Sequence, residues 1–139
     1  MRILLVIFFC VFLLSCIGDN PGTKGFTGTW KNASGAQLQL IKDGSFAGKC
    51  LPTKVFFQKD DTTHPLSFDG YGHWFIQEWK FQFPRIRLDF DSTNINLRCS
   101  CDINISGSGF FENNPPWNNL FKWEEEDGGK RYEFVRQVK

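Results

Sequence analysis

Three alanines and one methionine in 139 residues leave little material for helices, because these residues lead the helix-propensity scale together with the other unbranched side chains. No segment sustains a 3.6-residue apolar period, so an all-helical domain is not expected. Charge of one sign is also missing: 16 Lys/Arg face 15 Asp/Glu, for a net charge of +1. Such a balance offers no electrostatic footprint for a phosphate backbone, and nucleic-acid binding is excluded on that ground. Histidine is scarce, with only His64 and His73. The sequence contains no apolar run long enough for a transmembrane helix. Its longest is ILLVIFFCVFLL at residues 3–14, twelve residues behind Arg2, where a span needs about 18 or more. What the chain has in excess is aromatic: 16 Phe, 5 Trp and 2 Tyr, residues that favour strands.

The apolar run has the length of a signal-peptide core, which assigns residues 1–15 to a signal peptide. It ends in Leu13-Leu14-Ser15-Cys16, followed by the polar segment Ile17-Gly18-Asp19-Asn20-Pro21. A small residue and then cysteine at this point resembles the lipobox of bacterial lipoproteins. The resemblance implies cleavage before Cys16, diacylglycerol on its sulfur and an acyl chain on the new amino group. Several acyl chains, at ~0.8 kcal/mol per buried methylene, anchor stably where one is marginal. Ile17 rather than aspartate after the cysteine points to the outer membrane over the inner. Residues 16–25 then form the lipidated cysteine and a tether that reaches up to about 30 Å at ~3.5 Å per residue. The expected product is a domain over residues 26–139, anchored to a membrane rather than spanning it.

Of the five cysteines, Cys10 leaves with the signal and Cys16 is lipidated, so Cys50, Cys99 and Cys101 remain. In INLRCSCDINI, residues 95–105, apolar Ile95, Leu97, Cys99, Cys101, Ile103 and Ile105 alternate with polar neighbours. That period of two predicts one strand with both cysteines facing the core. Phe46, Gly48 and Cys50 share a face in the same way, which turns Cys50 inward. Neighbours at i and i+2 are poorly placed to bond each other. An oxidising compartment therefore suggests a disulfide from Cys50 to Cys99 or Cys101, the alternative being three buried free thiols. The C-x-C spacing is not that of a zinc knuckle, even with His64 or His73 added, and no metal or other cofactor is expected.

Short strands follow one another along the rest of the chain: 26–31, 36–42, 45–50 after the Asp43-Gly44 turn, 73–80, 85–91, 94–105, 119–125 and 130–138. Residues 54–58 read as a short apolar piece, and 59–72 as polar and turn-rich. In RIRLDFD the residues Ile86, Leu88 and Phe90 point inward, and the alternating charges make a solvated outer face. Eight or nine antiparallel strands in sequence order predict an all-β meander closed into a barrel, with a sandwich as the alternative. Gly28-Thr29-Trp30 and Gly72-His73-Trp74 each open a strand, forming a barrel-end motif. Glycine permits close backbone approach there, and tryptophan plugs the end.

The series G-x-W, L-x-L, D-G-x-F-x-G and L-P over residues 28–52, with GYGHW, PRIRLDF and LFKWEEEDGGKRYEFVR, resembles small secreted bacterial lipocalin-like proteins. It covers about residues 26–91 and 119–137 and implies a barrel more than an activity, since most such proteins have no assigned function. The first hairpin also resembles that of avidins, where Asn32 would match a biotin-contacting asparagine. Ala36 and Cys50 stand where avidins carry a serine and a tyrosine. Losing those hydrogen bonds to a polar ring removes the discrimination, and biotin binding is not expected.

No serine lies in G-x-S-x-G, no cysteine has a base nearby in sequence, and the Asp60-Asp61 and Asp89/Asp91 pairs suit loops and outer faces. Glu124-Glu125-Glu126-Asp127 lacks calcium-loop spacing. The expectation is a non-catalytic, membrane-anchored module that binds an unknown small ligand or envelope protein. The alternatives are a periplasmic inhibitor of a hydrolase, of lysozyme or protease type, and an enzyme of unrecognised type. Residues 106–119 supply the candidate interaction loop, carrying Phe110, Phe111 and Trp117, since exposed loop aromatics are frequent hot spots. The competing reading folds these rings back over one barrel end.

Overall fold

The computed structural model describes residues 22–57, 63–78, 83–107, 116–124 and 129–138. The segment expected to be a signal peptide, Cys16 and the first part of the expected tether lie outside the described residues. Eight strands form a closed antiparallel barrel in sequence order. They are β1 (Gly28–Lys31), β2 (Gln37–Leu40), β3 (Ser45–Pro52), β4 (Ser67–Gln77), β5 (Arg85–Thr93), β6 (Ser100–Ile105), β7 (Asn119–Trp123) and β8 (Arg131–Arg136). A five-residue helix, α1 (Thr53–Phe57), follows β3, and a one-turn 3-10 helix, Thr23–Gly25, precedes β1.

The first two hairpins use the same local chemistry. Asn32 Oδ1 accepts from Ser34 N and Oγ at 2.7 and 2.6 Å. Asp43 Oδ1 accepts from Ser45 N and Oγ at 2.8 and 2.6 Å. A short side chain that bonds the backbone two residues on closes the turn without help from the core. These bonds also hold the exposed Asp43 carboxyl below its ordinary value.

Three expectations are corrected. First, Cys50 does not face the core: β3 shifts register between Gly48 and Leu51. That bulge takes Lys49 and Cys50 both outside, with Cys50 at φ 51° and its N–H on Asp69 Oδ1 at 2.7 Å. Cys101 points inward from β6, with β4 and β5 between the two, and Cys50, Cys99 and Cys101 are all free thiols, so the disulfide is absent. Second, the strand read over 94–105 starts only at Ser100. Thr93 Oγ1 ties the loop before it by accepting from Leu97 N and donating to Leu97 O. Third, β4 begins at Ser67, inside the segment read as turn-rich, and the short apolar piece is the helix α1.

The interior is filled. Phe46 and Phe90 meet edge to face at 4.9 Å, Phe68 and Phe90 at 5.5 Å. Phe56 of α1 enters this group, 6.0 Å from Phe68 and 6.3 Å from Phe134. Each such ring contributes roughly 1.5–3 kcal/mol by burial and about 0.5–1.5 more by its edge contacts. Gly48 and Gly70 on the inner faces of β3 and β4 leave the room that Leu51 and Phe90 occupy, and Gly72 admits the β5 backbone at Asp89. The barrel is thus plugged at the end where β3 stops, by α1, and at the opposite end by the residues around Trp30.

Candidate functional site

The Trp30 end is a structural cap. Trp30 is fully buried and donates Nε1–H to the Phe26 carbonyl at 3.0 Å. Phe26 stacks on Trp30 and on Trp117. Arg136 donates to the carbonyls of Gly25 and Thr27, both at 2.8 Å, with its guanidinium 5.8 Å from the Trp30 ring centre. Trp74 is held in the same manner, Nε1–H to the Ile41 carbonyl at 2.9 Å. Of the two glycines in the barrel-end motif, Gly28 opens β1 with φ 134° against Arg136, whereas Gly72, expected to open a strand, lies in the middle of β4 against the β5 backbone. Trp117 is half-buried and packed on the core, so this part of the candidate loop folds back over the barrel end. Phe110 and Phe111 lie outside the described residues.

Asn32, the residue compared with a biotin contact, is occupied by its own turn: its Nδ2 donates to the Glu133 carbonyl at 2.6 Å. His73 sits on the outer face of β4 and meets Asp91 at 2.9 Å, with both side chains more than half exposed. Neither arrangement forms a pocket.

A pocket lies between β6 and β7. β6 and β7 pair only through Asn104↔Phe121 and Ile105↔Leu120. Beyond these, Ser100–Ile103 and Lys122–Trp123 run on without a ladder between them, and the two strands leave a cleft of about 440 Å³. This is within the usual range for small-molecule sites, about 300–1,000 Å³. Phe56 and Phe57 of α1 line the cleft together with residues of β5, β6 and β7. Trp123 forms a wall and is fixed from outside, because the Arg131 guanidinium lies 4.9 Å from its ring centre and 4.4 Å from that of Phe121.

The charged residues among the described lining are mostly cations: Arg85, Arg87 and Lys122 beside Asp102. Lys122 faces inward with 9% of its surface exposed. Its one hydrogen bond among the described residues is a long contact to the Asp102 carbonyl, 3.5 Å. Arg87 is clamped between Asp102 at 3.0 Å and Asp89 at 3.2 Å. The Asp102 bond raises its already high pKa, and burial opposes the rise. Arg85 has a buried Nε with no hydrogen-bond partner. Sequence reasoning placed Arg85 and Arg87 on a solvated outer face and passed over Lys122. The signal for Lys122 was its phase, since Leu120 and Lys122 share the inward side of β7.

Cys99 and Cys101 line the cleft as thiols, not thiolates. Burial pushes Cys99 up to about 11 and Cys101 up to about 12. At neutral pH neither is a nucleophile. Because the folded values are raised, no stability depends on these groups below about pH 9. Above it the unfolded thiols lose their protons first, and stability falls as pH rises towards 12. Iodoacetamide at pH 7.5 is expected to modify the peptide carrying Cys50 first, and those carrying Cys99 and Cys101 only after denaturation. Mass spectrometry of the digest reads the order; early labelling of Cys101 would contradict its burial. Among the described residues no group of three or more His, Cys, Asp or Glu is placed to hold a metal ion.

No family model matches the chain, and no curated protein or solved structure is similar to it.

Proposed function

We propose that the chain is a lipid-anchored protein of the bacterial cell envelope whose barrel is a non-catalytic binding module, with the cleft between β6 and β7 as its binding site. One observation carries the binding half. The barrel interior is filled by its own aromatic rings, while the cleft lies where two neighbouring strands stop pairing and is lined by a cation, Lys122, with no ion pair among the described residues. The anchor is suggested by Leu13-Leu14-Ser15-Cys16 behind the apolar run.

The anchor is tested by metabolic labelling with palmitate. The wild-type protein is expected to take up label and to sediment with membranes. Cys16→Ser is expected to lose essentially all of both. Equal labelling of the two would end the lipoprotein reading.

A further inference from the structure

We propose that the ligand of this cleft is an amphipathic anion, a carboxylate, sulfonate or phosphate on an apolar body, with Lys122 and Arg85 holding its head group. The inference rests on reading the cleft as the binding site and names the class of molecule that fits it. Lys122 is nine-tenths buried as a residue, and the long 3.5 Å contact of its ammonium to a carbonyl leaves donor capacity unused. Its natural complement is a carboxylate, yet Asp102, the one carboxylate among the described residues that line the cleft, is already engaged by Arg87 at 3.0 Å. Arg85 repeats the pattern with a buried Nε that donates to nothing. Among the described residues the cleft thus presents three cations against one anion, and two of the cations have hydrogen-bond donors to spare. Cys99 and Cys101, protonated, do not neutralise them.

A buried donor without an acceptor costs folding free energy, whereas an anion that enters the cleft gains charge-assisted bonds in a partly desolvated setting. The remaining surface selects the rest of the ligand. Phe57 and Trp123 line the cleft with the cations, and the volume admits a body of one or two rings or a short acyl chain. A bare inorganic anion would leave those rings against water, and a neutral apolar molecule would leave Lys122 as it is. The two halves of the lining call for both properties in one molecule.

The test uses 2-naphthoate and 2-naphthalenemethanol, which share an apolar body and differ in charge, titrated by calorimetry into the full chain carrying Cys16→Ser. The naphthoate is expected to bind at least tenfold more tightly than the alcohol. Lys122→Met should erase that ratio, and Arg85→Gln should reduce it several-fold. The methionine fills the same space without a charge, so the thermal midpoint of Lys122→Met should equal or exceed that of the parent. Should that variant fail to fold, Arg85→Gln, at the outer face of β5, decides alone. Equal affinities for the two probes, or a ratio that Lys122→Met leaves intact, would overturn the anion assignment while keeping the cleft as a binding site. No binding of either probe would remove the cleft reading and the proposal together.

Discussion

Gly72→Ala is expected to destabilise the barrel by about 3–5 kcal/mol, and Gly72→Val to prevent it from closing. The cause is a backbone approach that no rotamer can relieve. A Cβ built at position 72 overlaps the Asp89 carbonyl oxygen and lies 2.9 Å from Asp91 N and 3.0 Å from Asp89 C. The approach follows from the bulge in β5, where the register passes from Tyr71↔Ser92 to Gly72↔Phe90 and leaves Asp91 as the extra residue. Making room for a methyl group means opening the β4–β5 ladder beside Phe90, which also packs on Phe46 and Phe68. Overpacking alone costs about 1–3 kcal/mol, and each ladder hydrogen bond lost adds about 1. Against a total stability of roughly 5–15 kcal/mol this is a large fraction. Urea denaturation measures it. Gly48→Ala should cost less, since the obstacle there is the movable side chain of Leu51, and Gly22→Ala, with open space around it, should change little. A wild-type midpoint for Gly72→Ala would mean that the strands are not in contact at this bulge.

The parts of the fold that were legible in the sequence are those in which side chain and backbone obey one local rule. The Asn32–Ser34 and Asp43–Ser45 turns and the alternations of Leu38/Leu40 and Ile86/Leu88/Phe90 each announce a strand or a turn within a few residues, and a meander of such strands closes into a barrel. β4 was hidden because two of its inward positions are Gly70 and Gly72, so the expected apolar alternation is absent where neighbouring Phe90 fills the space. α1 was hidden because Val55-Phe56-Phe57 carries strand-forming residues; its helix is set by what Phe56 buries, not by propensity. Cys50 was misplaced because one inserted residue reverses the facing of those after it, and a bulge has no fixed sequence mark. The cleft had even less local signal. It depends on where β6 and β7 stop pairing, a relation between segments about 20 residues apart in the chain. Only the inward phase of Lys122 pointed to it.

Trp30→Ala is expected to cost about 3–5 kcal/mol, the usual range for emptying a large aromatic site, and to share much of that cost with Arg136. The seam between β1 and β8 is short, Trp30↔Arg136 and Lys31↔Val135, and is extended by Gln137 N–H to the Thr29 carbonyl at 2.8 Å. Its strength comes from the side chains around it. Phe26, before β1, is stacked on Trp30 and accepts its indole proton. Arg136, at the end of β8, binds the carbonyls on either side of that phenylalanine. Removing the indole frees Phe26, and with it the two carbonyls that the guanidinium fork requires. Arg136→Lys should therefore also destabilise, by roughly 1–2 kcal/mol, because one ammonium does not reproduce a planar two-point contact. Residues in one network are non-additive by about 0.5–3 kcal/mol, so the double variant Trp30→Ala/Arg136→Ala should lose less than the sum of the two single changes. Urea denaturation of the four proteins closes the cycle, and amide exchange at Gln137 should quicken in each single variant. Strictly additive losses would show that ring and guanidinium act separately, and that the seam holds through its ladder alone.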